Sequence, residues 1–427
     1  MVFLYLMLEI NFIRTNLEKV KKGCEMKGVE IDFEKLLELD DQRRKFLKEL
    51  QEVRREENRL SKEIGKKLGQ EREEMILEMK KYSEREKKLE KKYKEIEKEF
   101  FEILSQIPNL PLEGVPEGKD ESQNVVLRSW GKPKKFEFSV KDHLEIGEKL
   151  EIIDTKRASK TSGSRFGFLK KEGALLEIAL INFVLDNLLK EGFEFVIPPV
   201  LIRPELFWGM GYLEKGREDF YFIEKDNLIL VGTAEQILGP MHANEIFEEK
   251  DLPKRYLGFS SCFRREAGSW GKDVRGILRV HQFDKLEMFS FCLPEQSQKE
   301  HEFFLEMGEK IMQALKIPYR VIKVCAGEMA FPTAAQYDIE AWIPSQNRYR
   351  ETHSTSNCTD FQARRLNIRY RDQKTKKLRF VHTVNGTALA IQRIIVAILE
   401  NYQKEDGSVE IPKVLQKYLP FKEIKRT

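Results

Sequence analysis

Apolar residues recur at alternating spacings of three and four through the first quarter of the chain. Leu39, Phe46, Leu50, Val53, Leu60 and Ile64 keep this spacing, and Asp32 precedes them as a helix cap, which predicts a helix from Asp32 to about Leu68. A second row runs through Met75, Met79, Tyr82, Leu89, Tyr93, Ile96, Phe100, Ile103 and Ile107. Arg43 and Glu57 interrupt the first seam, Glu86 interrupts the second, and Gly65 and Gly69 lie between the two. Two heptad seams joined by a glycine turn specify an antiparallel helical hairpin. At 1.5 Å per residue, about 35 residues give an arm of about 50 Å, longer than a small domain is wide. Such an arm serves as a scaffold, as an oligomerisation strut or as a reach towards a large partner. Its Arg43, Arg44, Arg54, Arg55, Lys66, Lys67, Lys87, Lys88, Lys91 and Lys92 either meet phosphates or form a solvated face balanced by glutamates.

The pattern changes after Ile107. Pro108, Pro111, Gly114, Pro116 and Gly118 read as a linker, dividing the chain into 1–107, a linker over 108–122 and a globular part over 123–427. Trp130–Phe138 reads as strand with a Gly-Lys-Pro turn, and Ser162–Phe168 as either a ligand cradle or a tight surface loop. Glu172–Lys190 is a predicted helix with a stripe of Leu175, Ile178, Ala179, Phe183, Leu185 and Leu189. A strand ends at Ile197, and Pro198-Pro199 places it at an edge or interface. Phe207, Trp208, Met210 and Tyr212 are either a partner surface or core. Strands are expected near 220–223, 227–230, 319–324 and 337–343, and helices over 237–249 and 297–315. Asn385-Gly386 reads as a turn, with Thr387 capping a helix that starts at Ala388. Strands do not alternate one-to-one with helices, so the fold class expected is α+β: an antiparallel sheet flanked by helices, with a coiled-coil arm.

Bulk composition narrows the picture. At 427 residues, two or three domains are expected. A net charge of +4 permits nucleic-acid contact without requiring it. Five scattered cysteines, with no C-x-x-C pair, fit neither a disulfide framework nor a zinc site, so reduced thiols, a cytoplasmic location and no structural zinc are expected. The apolar start, MVFLYLMLEI, is too short to span a bilayer, and Met7 is a candidate start in place of Met1. No membrane association is expected.

The chemistry concentrates at FRREAGSWGKDVRGILRVHQFDKLE, residues 263–287, which reads as strand, glycine-rich loop and strand. Arg264 and Glu266 are two apart, and Arg279, His281, Phe283, Lys285 and Glu287 alternate along the return, so each set is expected on one strand face. Cations, carboxylates and an aromatic ring on one face suit a triphosphate, a base and an amine; the alternative is a solvated hairpin. Thr233 and Glu235 repeat the two-residue spacing. RETHSTSN (350–357) gathers Glu351, His353 and Ser354, with Glu351 either a metal ligand or half of a surface ion pair. Arg393 sits among apolar neighbours, which calls for an internal carboxylate or a ligand phosphate. No G-x-G-x-x-G or P-loop motif is present.

Taken together these segments resemble the class II aminoacyl-tRNA synthetases, and most closely the bacterial-type seryl-tRNA synthetase family, over nearly the whole chain. Residues 193–213 resemble the first, dimer-forming motif, 263–287 the second in its seryl form, and NGTALAIQRIIVAILE (385–400) the third. TAE (233–235) and ETHSTSNCTDFQARR (351–365) resemble family segments, and the helical hairpin resembles the family's tRNA-binding arm. The resemblance implies serine activation by ATP, with Mg²⁺, followed by transfer to tRNA(Ser), with tRNA(Sec) as a second candidate, by a cytoplasmic homodimer joined through the first motif.

It also implies roles. Arg264, Glu351 and Arg393 would be catalytic. ATP would meet Arg264, Arg265, Glu266, Val280, Phe283, Glu351, Thr352, His353, Ser354 and Arg393, with Glu351 and Ser354 as Mg²⁺ ligands. Serine would meet Thr233, Ala234, Glu235, Arg264, Arg279, Glu287, Asn385 and Thr387. Two departures stand out: Gln236 follows TAE where the family pattern has an aliphatic residue, and the segment before Tyr337-Asp338 lacks a lysine. Two rivals are an adenylate-forming enzyme that loads another carrier, and a coiled-coil scaffold with an inactive head.

Overall fold

The computed structural model of the chain describes residues 7–212, 217–267 and 275–426. It forms two compact units, with the boundary between Pro108 and Asn109.

In the first unit, short helices Ile10–Thr15 and Leu17–Met26 precede α1 (Phe33–Ile64) and α2 (Gly69–Leu104). Asp32 caps α1 by accepting from the Lys35 amide at 2.9 Å. The helix stops at Ile64, four residues before the expected end. Leu50, Val53 and Leu89, flanked by Phe46 and Tyr82, form the seam of the hairpin. The polar interruptions of the seam are used across it. The Arg43 guanidinium lies over the Phe100 ring, 4.9 Å from its centroid. Glu86 accepts from Arg54 at 2.6 Å and shares a hydrogen bond with Glu57, whose carboxyl is raised by desolvation and by Glu86.

The second unit is organised by an eight-stranded sheet. Its strands are β1 (Val125–Trp130), β2 (Glu194–Val196), β3 (Lys254–Phe263), β4 (Gln282–Cys292), β5 (Tyr319–Lys323), β6 (Ala335–Ile343), β7 (Arg348–Thr359) and β8 (His382–Ala390). Their order is β1-β5-β6-β7-β8-β4-β3-β2, and every pairing is antiparallel except β2 with β3. Three helices supply the apolar core beside it: α3 (Lys171–Leu188), α4 (Ser297–Leu315) and α5 (Ile391–Asn401). This is an α+β architecture. Among the described residues no helix is long and apolar enough to cross a membrane, and all five cysteines are buried free thiols.

Several sequence expectations are corrected. The segment read as a linker is anchored in the second unit: the Asn109 amide donates to the Pro332 and Cys358 carbonyls at 2.9 and 2.7 Å. The strand expected over 130–138 lies earlier, as β1. The helix expected over 237–249 is a single turn, Glu235–Leu238; Pro240 has no amide hydrogen to continue it, and 246–248 turns into a short strand. Asn385-Gly386 is not a turn but the middle of β8, and α5 begins at Ile391. A Cβ on Gly386 would sit 2.7 Å from Thr355 Cγ2, so the glycine marks a close approach within the sheet. Phe207 and Met210 are fully buried core, not a partner surface. On α3 the buried stripe is Leu176, Leu180, Phe183 and Val184, while Leu175 and Ile178 are 45% and 56% exposed.

One ionisable contact ties α3 to β4. Burial, and then a hydrogen bond to Asp284, push the Glu177 carboxyl up to about 8. The folded chain therefore holds this proton between about pH 4.5 and 8, where the unfolded chain has released it, so stability falls as pH rises from about 4.5 to 8 and levels off above that. Glu177→Gln, neutral throughout, is expected to exceed the parent's stability at pH 9 by on the order of 1–2 kcal/mol and to match it near pH 4. Paired thermal melts at the two pH values check this, and identical behaviour at pH 9 would rule out the shared proton.

Candidate active site

β4, β6, β7 and β8, with the segments that flank them, wall a cavity of about 490 Å³. Alternation along β4 builds one wall: Phe283, Lys285 and Glu287 face the cavity, while Leu286 and Met288 enter the core. On β7 simple alternation would put Glu351 and Ser354 on opposite faces. A β-bulge intervenes, because Ile339 pairs with His353 and Glu340 with Glu351, leaving Thr352 as the extra residue. Glu351 and Ser354 thereby line the same cavity. A second bulge, between Leu286 and Glu287 opposite β8, leaves Ala388 unpaired with β4 and sets Thr387 against Glu287.

At one end the cavity is acidic and rich in small polar groups. Glu235, 6% exposed, accepts from Tyr212 Oη at 2.7 Å, Gln362 Nε2 at 3.0 Å and Asn385 Nδ2 at 3.1 Å. Burial, and then the Glu287 charge, raise its pKa, while burial holds the Tyr212 phenol well above its usual value and so protonated. Glu287 is paired with Lys285 Nζ at 2.5 Å and accepts from Thr387 Oγ1 at 3.5 Å. Thr233 completes this end. The pocket offers carboxylates and hydroxyls to a small ligand carrying an ammonium and a hydroxyl.

Next come Arg264 and Phe283. Arg264 Nε donates to the Gly232 carbonyl at 3.2 Å, and its guanidinium lies 5.3 Å from the Phe283 ring centroid. Its backbone exchanges two bonds with His281: Arg264 N to His281 O and His281 Nδ1 to Arg264 O, both 2.9 Å. β3 ends at Phe263, however, and Glu266 takes a left-handed φ of 54°, so Arg264 and Glu266 do not share a strand face as expected. Arg279 and His281 likewise precede β4. Arg279 instead pairs with Glu266. Of the glycine-rich loop, 268–274 lies outside the described residues. Its return is fixed at Gly276, where φ is 79° and a Cβ would fall 2.0 Å from His143 Nε2. His143 Nε2 accepts from the Ile277 amide at 3.3 Å, and its Nδ1 lies 3.1 Å from the buried Glu400 carboxylate.

Also on the cavity wall, Arg393 Nη1 donates to the Glu351 carbonyl at 2.9 Å and pairs with its carboxylate at 3.2 Å. Arg393 is thus a cavity-wall residue with a carboxylate partner, 28% exposed, rather than a charge enclosed by apolar side chains. Beside it, burial and the Glu351 charge push the Asp338 carboxyl up to about 8. Asp338 pairs across the sheet with Ser354.

The cavity lining includes Thr233, Glu235, Arg264, Glu266, Arg279, Val280, Phe283, Glu287, Glu351, Thr352, Ser354, Asn385, Thr387 and Arg393. Three predicted residues lie elsewhere. Ala234 is buried in the core beneath the lining. Arg265 is exposed, with its amide on the Asp219 carbonyl at 2.8 Å. His353 is turned into the core, where its Nε2 meets the Ala388 carbonyl at 3.1 Å and burial lowers its pKa to about 4. Sequence reasoning missed Tyr212 and Gln362 as partners of Glu235, and Asp338 beside Glu351. Tyr212 was visible in an aromatic run, and Asp338 on the alternating β6, but nothing in the local pattern marks Gln362.

The fold and this cavity define a class II tRNA synthetase core. The family model described as "tRNA synthetase class II core domain (G, H, P, S and T)" matches residues 220–402, and that of the "Seryl-tRNA synthetase N-terminal domain" matches residues 7–111. The chain is 47% identical to the serine–tRNA ligase of Dictyoglomus turgidum, over 98% of this chain and 99% of that one. Among solved structures, seryl-tRNA synthetase from Pyrococcus horikoshii complexed with ATP aligns with a TM-score of 0.90 at 44% identity, covering 99% of this chain and 100% of the other. The cytoplasmic enzyme of Naegleria fowleri in complex with AMP aligns at 0.87 with 31% identity, covering 99% of each. The chain belongs to the seryl-tRNA synthetase family.

Proposed function

We propose that the protein activates L-serine with ATP and transfers it to tRNA(Ser). The observation that carries this reading is the set of groups gathered in one cavity: the carboxylates Glu235 and Glu287 with Thr233, Asn385 and Thr387, the cation Arg264 over Phe283, and Arg393 paired with Glu351 near Ser354. Glu235 and Glu287 take the serine ammonium and hydroxyl, with Thr233, Asn385 and Thr387 beside them. An analogue lacking the hydroxyl leaves these buried groups unpaired and is rejected. A serine carboxylate oxygen attacks the α-phosphorus of ATP, the bond to the β-phosphate oxygen breaks, and pyrophosphate leaves. No general base is required, because the attacking carboxylate is already ionised.

Arg264 holds the α-phosphate as charge develops there. Phe283 stacks on adenine, Val280 and Glu266 flank the base, and Arg279 is a further cation for the carboxylate. In the second step the terminal tRNA hydroxyl attacks the acyl carbon and AMP leaves. Mg²⁺ fits the donor set: Glu351 and Ser354 offer hard oxygen ligands, and the crowding that keeps Asp338 protonated beside Glu351 is what a dication relieves. Bound with ATP, the ion would neutralise phosphate charge. Arg393 then holds the γ-phosphate end.

The α1–α2 hairpin supplies the tRNA contact. Double-stranded RNA is read mainly through shape and backbone, which suits dispersed basic residues on a helical rod; tRNA(Sec) is a second candidate acceptor. A homodimer through the first motif region accounts for the exposed Leu175, Ile178, Leu189 and Ile197, the last 72% exposed. A cytoplasmic setting suits the five free thiols.

Charging of purified tRNA(Ser) with labelled serine tests the transfer reaction; labelled serine that enters adenylate but never tRNA would redirect the reading to another carrier. Arg393→Ala is expected to raise the KM for ATP about ten- to hundredfold, the loss of a charge-assisted contact. Its melting temperature should hold within a few degrees, since its partner Glu351 is 49% exposed. A variant that fails to fold would make the Arg393–Glu351 pair structural instead.

A further inference from the structure

The structure gives the Gln236 side chain two distinct ends. Its side-chain carbonyl accepts from the Gly232 amide at 2.7 Å. That contact fixes the orientation of the side-chain amide, because a backbone N–H can meet only the oxygen end. Gly232 in turn receives Arg264 Nε on its carbonyl at 3.2 Å. The Gln236 oxygen thus anchors the turn that seats Arg264.

The nitrogen end has no such partner. Gln236 is 1% exposed and lines the cavity. Among the described residues its Nε2 makes no hydrogen bond to the protein, and it is not one of the nitrogens sealed away from solvent. An amide nitrogen that opens on the cavity without a protein partner is available to donate to a ligand. Gln236 lines the same cavity as Thr233, Glu235 and Arg264, and the Gly232 that its oxygen anchors also holds Arg264. The group that belongs there is the serine carboxylate, which becomes the acyl carbonyl of the adenylate.

We infer that Gln236 is a further serine-binding residue, donating its side-chain N–H to the serine carboxylate while its carbonyl anchors Gly232. The inference rests on the serine-activating reading and adds a residue to that site.

The test compares serine with ethanolamine, which keeps the ammonium and hydroxyl but has no carboxylate. Gln236→Met removes both ends of the amide at similar size; Gln236→Glu keeps the Gly232 anchor and removes the donor. Serine-dependent ATP–pyrophosphate exchange gives the KM for serine, and inhibition of exchange gives the Ki for ethanolamine. In both variants the serine KM should rise about tenfold or more while the ethanolamine Ki does not rise, and in Gln236→Glu, which keeps the anchor beneath Arg264, the ATP KM stays within about twofold. A serine KM unchanged in both variants overturns the inference. So does a loss confined to Gln236→Met, which would make the residue an anchor only, or an equal weakening of serine and ethanolamine, which would indicate a collapsed pocket. Absence of serine-dependent exchange in the parent protein overturns the serine reading and, with it, the inference.

Discussion

Arg264→Ala is expected to lower the rate of adenylate formation about a thousandfold, the upper range for losing one preorganised donor to developing charge. The effect is large because Arg264 is held from both ends. Its backbone is locked to His281, its Nε is fixed on the Gly232 carbonyl, and its guanidinium rests over Phe283. A cation positioned before the substrate arrives needs no reorganisation in the transition state. Stability should change little, because the stacking contact with Phe283 contributes only about 0.5–1 kcal/mol. Arg264→Lys is expected to recover little activity, since an ammonium cannot span the Gly232 carbonyl and a phosphate in one planar fork. Pyrophosphate exchange with a parallel thermal melt checks both variants. Full activity in Arg264→Ala would move the catalytic charge elsewhere, to Arg279, Lys285 or Arg393 on the same cavity wall.

Removing the arm, residues 38–104, should separate the two half-reactions. Exchange with serine is expected to stay within a few-fold of the parent, because every residue given as lining the cavity lies at Tyr212 or beyond, in the second unit. Charging of tRNA(Ser) should fall by at least a hundredfold, because the binding surface offered to the RNA backbone is gone. Single-turnover transfer from preformed adenylate to tRNA reads this directly. Charging that survives the deletion would leave the hairpin with only a structural role. A loss of exchange along with charging would mean that the second unit does not fold without the arm.

These two predictions draw on features of unequal legibility. The hairpin was readable because heptad spacing is a strictly local signal and Asp32 marks its start. α4 could be placed at Ser297–Leu315 for the same reason. The polar seam positions Arg43, Glu57 and Glu86 looked like defects because their partners are across the hairpin, where no local pattern reaches. The site residues were mostly legible as types and spacings on β4, but their geometry was not. Glu351 and Ser354 share a wall only because Thr352 bulges, and a bulge leaves no mark in an alternating sequence. Asn385-Gly386 carried the strongest local turn signal of its segment and was overruled by Thr355 packed against the glycine. Arg264 and Glu266 were spaced for one strand face, yet the chain leaves the ladder at Phe263. His353 sat within the right segment and points into the core, since the same bulge that turns Glu351 towards the cavity fixes the face of its neighbours. Tyr212 and Gln362 became visible only once the fold brought them to Glu235.

The account depends on the acidic pocket and the phosphate-binding cations serving one ligand pair. The most direct measurement is amino-acid-dependent ATP–pyrophosphate exchange, run on the purified full chain with each of the twenty amino acids in turn. Serine alone should drive exchange, with alanine and glycine near background because the paired carboxylates and hydroxyls find no hydroxyl to bind. Exchange driven by a different amino acid, or by none of the twenty, would contradict it.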